Sequence, residues 1–109
     1  MAYSGRERRV YPRWPFARAI QLGCDGKWRT CASINLSFGG ILVATADPPP
    51  QGARVSLRIT SDRTPEPLEI DGLVVRCTMD EGVGIGFVDL DNETEEVLRQ
   101  MIELLEQSE

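Results

Sequence analysis

A two-residue alternation of apolar and polar side chains is what most restricts the folds open to this chain. Val55, Leu57 and Ile59 alternate with Ser56, Arg58 and Thr60, and Leu68, Ile70, Gly72 and Val74 continue the same beat. Successive side chains leave a strand on opposite faces, so each segment must bury one face and wet the other. Phe16, Ile20 and Leu22 start the pattern, with Arg18 interrupting, and Trp28, Thr30, Ala32 and Ile34 resume it. Ile41–Thr45 is short and largely apolar, and Val83, Ile85 and Phe87 alternate with Gly84, Gly86 and Val88. Turn chemistry separates these runs: Gly23 to Gly26, the proline-rich Asp47–Gly52 loop, the polar Ser61–Pro67 connection and an Asp80-Glu81-Gly82 hairpin turn. Six short strands at roughly ten-residue spacing predict an all-β fold, a small six-stranded antiparallel β-barrel.

The period changes only at the end. Val97, Leu98, Met101, Ile102, Leu104 and Leu105 form an apolar stripe at helical spacing. Asn92 followed by Glu95 fits an N-cap and its capping-box partner, and Glu93 and Glu96 suit the positive end of a helix. A C-terminal α-helix over about 92–107 is expected, its stripe laid across the barrel or against a partner.

Residues 1–13 lack any hydrophobic period and are expected to form a flexible arm, with residues 14–109 making the barrel and helix. At 109 residues the chain has room for one core. Its net charge of −5 is unevenly spread: residues 1–18 hold five arginines against Glu7, and residues 89–109 hold eight acids against Arg99. Eleven of the twelve basic residues are arginine, whose planar fork pairs with phosphate or a base edge through two hydrogen bonds. Pro12 disfavours helix at Tyr11. Extended, the Cα atoms of Arg9 and Arg13 could lie up to about 13–14 Å apart, a span that embraces a dinucleotide-sized ligand.

Several chemistries are excluded or disfavoured by counting. There is no histidine, and Cys24, Cys31 and Cys77 have no C-x-x-C spacing, so a four-ligand structural zinc site is closed and reduced, buried thiols are expected. Without histidine a Ser or Cys nucleophile lacks its usual base, and no carboxylate pair stands out, so the chain is not expected to be an enzyme. No cofactor is expected. Gly82-Val83-Gly84-Ile85-Gly86 lacks the spacing of a dinucleotide loop and fits a bulge or a close backbone approach instead. No apolar run approaches a membrane span and the N-terminus has no signal-like apolar region, which leaves a cytoplasmic address as the default.

Two patterns remain. Arg8-Arg9-Val10-Tyr11-Pro12-Arg13 is an arginine-dense segment suited to an anion, and Asn35-Leu36-Ser37-Phe38-Gly39-Gly40 is a turn that presents polar groups before entering the apolar Ile41-Leu42-Val43. In this order, about twenty residues apart, they resemble the RxxxR and (D/N)xSxxG motifs of the PilZ domain family. The resemblance extends to Gly72-Leu73-Val74-Val75-Arg76 and Val83-Gly84-Ile85-Gly86-Phe87, and so covers nearly the whole chain.

That resemblance implies a six-stranded β-barrel that binds the bacterial second messenger cyclic di-GMP. Arg9 and Arg13 would take guanine and phosphate contacts with Arg8 assisting, Asn35 and Ser37 would hydrogen-bond a guanine or phosphate, and Gly40 would keep the backbone close to the ligand. Arginine forks suit both phosphate oxygens and the O6/N7 edge of guanine. The implied mechanism is a ligand-driven ordering of the arm that alters contact with a downstream protein partner, in pathways such as motility, adhesion or biofilm control. Two other readings stand beside it: a PilZ-fold interaction module that does not sense nucleotide, and a small barrel for single-stranded nucleic acid. Net −5, an acidic C-terminal helix and seven aromatics argue against nucleic acid. Trp14 could line the ligand surface or pack, and Arg76 could border the pocket or simply meet solvent.

Overall fold

The computed structural model of the chain describes residues 12–60, 66–78 and 82–107. Arg8, Arg9, most of the 61–67 connection and the tip of the Asp80–Gly82 turn lie outside the described residues. Among the described residues seven strands precede one helix: β1 (Trp14–Pro15), β2 (Ala19–Cys24), β3 (Lys27–Leu36), β4 (Gly40–Ala44), β5 (Arg54–Ile59), β6 (Leu68–Thr78), β7 (Gly82–Val88) and α1 (Asn92–Gln107). Antiparallel pairing runs β3-β2-β5-β6-β7-β4 and returns from β4 to β3, which closes a six-stranded barrel. Closure gives each of the six barrel strands a partner on both sides. The two-residue β1 is added to the far end of β3.

The barrel interior is filled by the alternating positions. Ile20, Leu22, Val55, Leu57, Ile59, Ile70, Val74, Val83 and Ile85 are all buried in one core. The helix closes it: Leu98, Met101 and Ile102 join that core, and α1 lies against β1 and β6. Its stripe therefore packs across the barrel. The cap sits one residue earlier than expected. Asp91, not Asn92, is the capping residue, its Oδ1 accepting the Thr94 N–H at 2.7 Å while the Asp91 carbonyl accepts from Glu95. The Asp91-x-x-Thr94 spacing satisfies a free helix N–H directly, so no Glu95 reach-back is needed. These hydrogen bonds hold the Asp91 carboxyl below the usual carboxylate range.

One strand is phased oppositely to the sequence expectation. Trp28, Thr30, Ala32 and Ile34 face outward, and Cys31 and Ser33 face the interior. The cause is the tightness of the β2–β3 turn. Only Asp25 and Gly26 form it, at φ 54° and 78°, which is the two-residue hairpin geometry whose twist matches the flanking strands. Cys24 then faces Lys27, and Leu22 and Ile20 face Arg29 and Cys31. Residues directly opposite share a face, so the inward Leu22 and Ile20 fix Cys31 inward. Of the three thiols, Cys31 alone is fully buried; Cys24 is half-buried and Cys77 exposed.

Ser33 and Ser37 are the buried polar residues among those described, and Ser33 lies on the inner face of β3. Its hydroxyl donates to the Phe16 carbonyl, and its oxygen accepts the Arg18 N–H at 2.9 Å. This ties the irregular Phe16–Arg18 segment to β3 and satisfies backbone groups that burial would otherwise leave unpaired.

Candidate functional site

Two β-bulges shape one outer wall of the barrel. In β3, Ser33 pairs with Val43 and Asn35 with Leu42, so Ile34 is an extra residue. In β6, Val74 pairs with Ile85 and Arg76 with Gly84, so Val75 is extra. Each insertion advances the alternation by one and re-aims the residue after it. Ser33 and Leu36 therefore both face the core, and Asn35 between them is turned outward. Val74 likewise faces the core, with Val75 and Arg76 on the outer face. The inserted residues are two of the three large apolar side chains left exposed among the described residues, Ile34 at 41% and Val75 at 48%.

Between these bulges lies a cleft of about 440 Å³, bordered by Arg13, Asn35, Ser37, Gly39 and Gly40 on one side and by Leu73, Val75, Arg76, Gly84 and Gly86 on the other. Arg13 reaches it through strand register. Trp14 pairs with Leu36 and Pro15 with Asn35, so the antiparallel run of β1 delivers Arg13 to the start of the β3–β4 turn. Two sequence segments more than twenty residues apart thus meet at one rim. Arg13 and Arg76 are the charged residues of the lining, and no carboxylate lines the cleft among the described residues. In a chain of net charge −5 that is a locally cationic site.

The turn itself is braced from within. The Ser37 N–H donates to the Gly40 carbonyl at 2.9 Å, and the Ser37 Oγ accepts the N–H groups of Gly39 at 3.1 Å and Gly40 at 3.2 Å. With its own proton directed to the Gly40 carbonyl at 3.4 Å, this hydroxyl is committed to the turn. The Gly39 carbonyl accepts from the Phe87 N–H at 2.9 Å, fastening the turn to β7. Gly40 is required by the barrel: a Cβ there would lie 2.3 Å from the Ile85 carbonyl oxygen. The close approach seen at Gly40 is to the neighbouring strand β7. Gly82 shows the same constraint, 2.4 Å from the Val43 carbonyl at φ +106°, in keeping with the close backbone approach read from the β7 glycines.

Trp14 packs against the core and is absent from the cleft lining; its Nε1 is buried without a hydrogen-bond partner among the described residues. Arg76, by contrast, which the sequence left open between bordering the pocket and meeting solvent, stands in the cleft wall. The available signal was Gly84, the glycine opposite it, which leaves room for a long side chain to lie down. A broader depression of about 720 Å³ runs along β3 past Trp28 and Arg29. It contains none of the motif residues, and Asp47 neutralises its Arg29 at 3.1 Å.

A family model described as the PilZ domain matches residues 7–104. The chain belongs to the PilZ domain family. Solved PilZ structures share its fold. The PilZ domain of YcgR with c-di-GMP from Escherichia coli is 18% identical at a TM-score of 0.71, covering 93% of each chain. The PilZ domain of CeSA from a cellulose-synthesising bacterium is 24% identical at a TM-score of 0.67, covering 87% of this chain and 98% of that one. The PlzA protein of Borreliella burgdorferi, solved in complex with c-di-GMP, is 16% identical at a TM-score of 0.68; the match covers 87% of this PilZ domain and 41% of PlzA. No curated protein sequence matches. No helix among the described residues is long and apolar enough to cross a membrane, and those residues hold no cluster of potential metal ligands.

Proposed function

We propose that this PilZ domain is a cytoplasmic receptor for cyclic di-GMP that binds the dinucleotide in the cleft between the β3–β4 turn and the bulge of β6. The observation that carries the reading is the meeting of Arg13, Asn35 and the Ser37-braced turn around a cleft lined by Arg13 and Arg76 and, among the described residues, by no carboxylate. A dianionic ligand with two guanines suits that chemistry, and two of the structurally similar PilZ proteins were solved with c-di-GMP. Arg13 pairs with phosphate or the O6/N7 edge of a guanine, and Arg8 and Arg9 do so from the remainder of a 1–13 arm. Asn35 offers its amide from the rim. Ser37 and Gly40 act through the shape of the turn, one by bracing it and the other by letting it sit on β7.

In this reading ligand draws the arm onto the cleft and changes the surface offered to a protein partner, which makes the domain an adaptor with no catalytic step. The ordering of the arm must be offset by charge-assisted hydrogen bonds, each worth about 1.5–3 kcal/mol. Isothermal titration with cyclic di-GMP tests it. Arg13→Ala should weaken binding by about tenfold to a hundredfold with little change in thermal stability. An unchanged affinity would remove Arg13 from the site. Tighter, salt-sensitive binding to a random oligonucleotide would point to a nucleic-acid barrel instead.

A further inference from the structure

Arg13 reaches the cleft rim because the chain leading away from it changes register against β3. In the β2–β3 ladder Ala19 faces Ala32, and the Ser33 N–H continues that ladder by donating to the Arg18 carbonyl at 2.8 Å. In the β1–β3 ladder Pro15 faces Asn35 and Trp14 faces Leu36. Between the two ladders, Phe16 and Ala17 stand against Ile34 alone. An unbroken ladder would set Phe16 against Asn35 and Trp14 against Ser37, and would carry Arg13 one residue past that serine. The step answers the bulge of β3: Ile34 shifts the phase of that strand, and the extra residue beside it keeps Trp14 on the core side, opposite Leu36.

The Ser33 hydroxyl holds this step. In a regular antiparallel pair the Arg18 N–H would meet the Ser33 carbonyl. It donates to Ser33 Oγ instead, at 2.9 Å. The same hydroxyl donates to the Phe16 carbonyl, and the Phe16 N–H donates to the Ile34 carbonyl at 3.0 Å. Ser33 is buried, so removing its hydroxyl would leave the Arg18 N–H and the Phe16 carbonyl short of a partner in the step as it stands.

We propose that Ser33 is a positioning residue for the nucleotide site, its hydroxyl holding the register step that brings Arg13 to the rim of the cleft. The proposal rests on the cyclic di-GMP reading and assigns that site a residue outside both sequence motifs. Ser33 is absent from the cleft lining and faces the core, so it acts through the Phe16–Arg18 segment and touches no ligand. That segment fixes where β1 begins to pair with β3, and so where Arg13 leaves the barrel. A two-bond guanidinium contact depends on position and direction together. A one-residue slip moves a strand by about 3.3 Å along its neighbour, enough to break such a contact.

Isothermal titration of cyclic di-GMP into wild type, Ser33→Ala, Arg13→Ala and the double variant tests this, with the folding of each checked by its melting curve. Ser33→Ala should weaken binding by about tenfold, the scale of one charge-assisted hydrogen bond lost. In the Arg13→Ala background the same substitution should change affinity by less than about twofold, because its effect passes through Arg13. A residue with a purely structural role would lower the melting temperature and leave the affinity of the folded protein unchanged in both backgrounds. That result overturns the proposal and leaves the receptor reading standing. Equal losses with and without Arg13 also overturn it, since the hydroxyl would then act on another part of the site. A folded wild type that does not bind cyclic di-GMP overturns both. Should Ser33→Ala fail to fold, Ser33→Cys, close in size and weaker in hydrogen bonding, takes its place in the same cycle and is judged by the same outcomes.

Discussion

The barrel has two kinds of wall. Where β2, β5 and the first half of β6 meet, each ladder runs without a register shift and opposite residues keep their faces throughout. Where β3 and β4 meet, and again where the second half of β6 meets β7, one bulge breaks each ladder. The regular wall presents flat ladders whose outer side chains pair with one another: Arg58 lies over the Trp28 ring at 4.1 Å and its Nε meets Glu69 at 3.3 Å. The bulged wall presents a cleft. The difference teaches that the same strand chemistry serves stability when the register is unbroken and builds a binding surface when single insertions turn selected side chains outward.

Substitutions can sharpen or break this contrast. The largest effect is expected on the regular wall. Leu57 is fully buried, so Leu57→Ala should cost about 2–5 kcal/mol in urea unfolding while the folded fraction binds ligand with unchanged affinity. A change in affinity at constant stability would show that the two walls are coupled. Next comes a pair of glycines. Gly40→Ala forces a Cβ against the Ile85 carbonyl and should cost about 1–3 kcal/mol, together with cyclic di-GMP binding. Gly26→Ala, in the β2–β3 turn at φ +78° with open space around it, should cost about 1 kcal/mol of backbone strain and leave binding intact. Equal binding losses from both would erase the distinction between the walls.

The smallest effect belongs to neither wall. Asp91→Ala removes the cap of α1 and should lower the melting temperature by a few degrees at neutral pH. The folded carboxyl titrates below its unfolded counterpart. Its contribution is therefore present above the ordinary aspartate range, about pH 4, and is lost as the pH falls through the folded value. Melting curves of wild type and Asp91→Ala should converge in acid; a constant gap down to low pH would mean that the cap acts without its charge.

The alternation of Val55, Leu57 and Ile59 and of Leu68, Ile70 and Val74 was enough to place both strands and their inward faces, because a regular ladder preserves the period it inherits from the chain. The helical stripe was legible for the same reason, as were Arg13 and Asn35 as chemically apt residues. The sequence pattern failed where one residue changes the count. The phase of β3 depended on how many residues make the Asp25-Gly26 turn, and both bulges depended on pairing with a partner strand. A bulge is a mismatch between two strands, so neither strand's own sequence contains it.

What the sequence determined by itself was an all-β chain with a terminal amphipathic helix and two polar motifs, since hydrophobic period and residue chemistry are local properties. Only the tertiary structure decided that Arg13 meets the β3–β4 turn, that Ser37 spends its hydroxyl on bracing that turn, that Gly40 is demanded by Ile85, and that Arg76 lies in the opposite wall. Each of these depends on inter-strand register and on which backbones come within contact distance, and both are set by closure of the barrel.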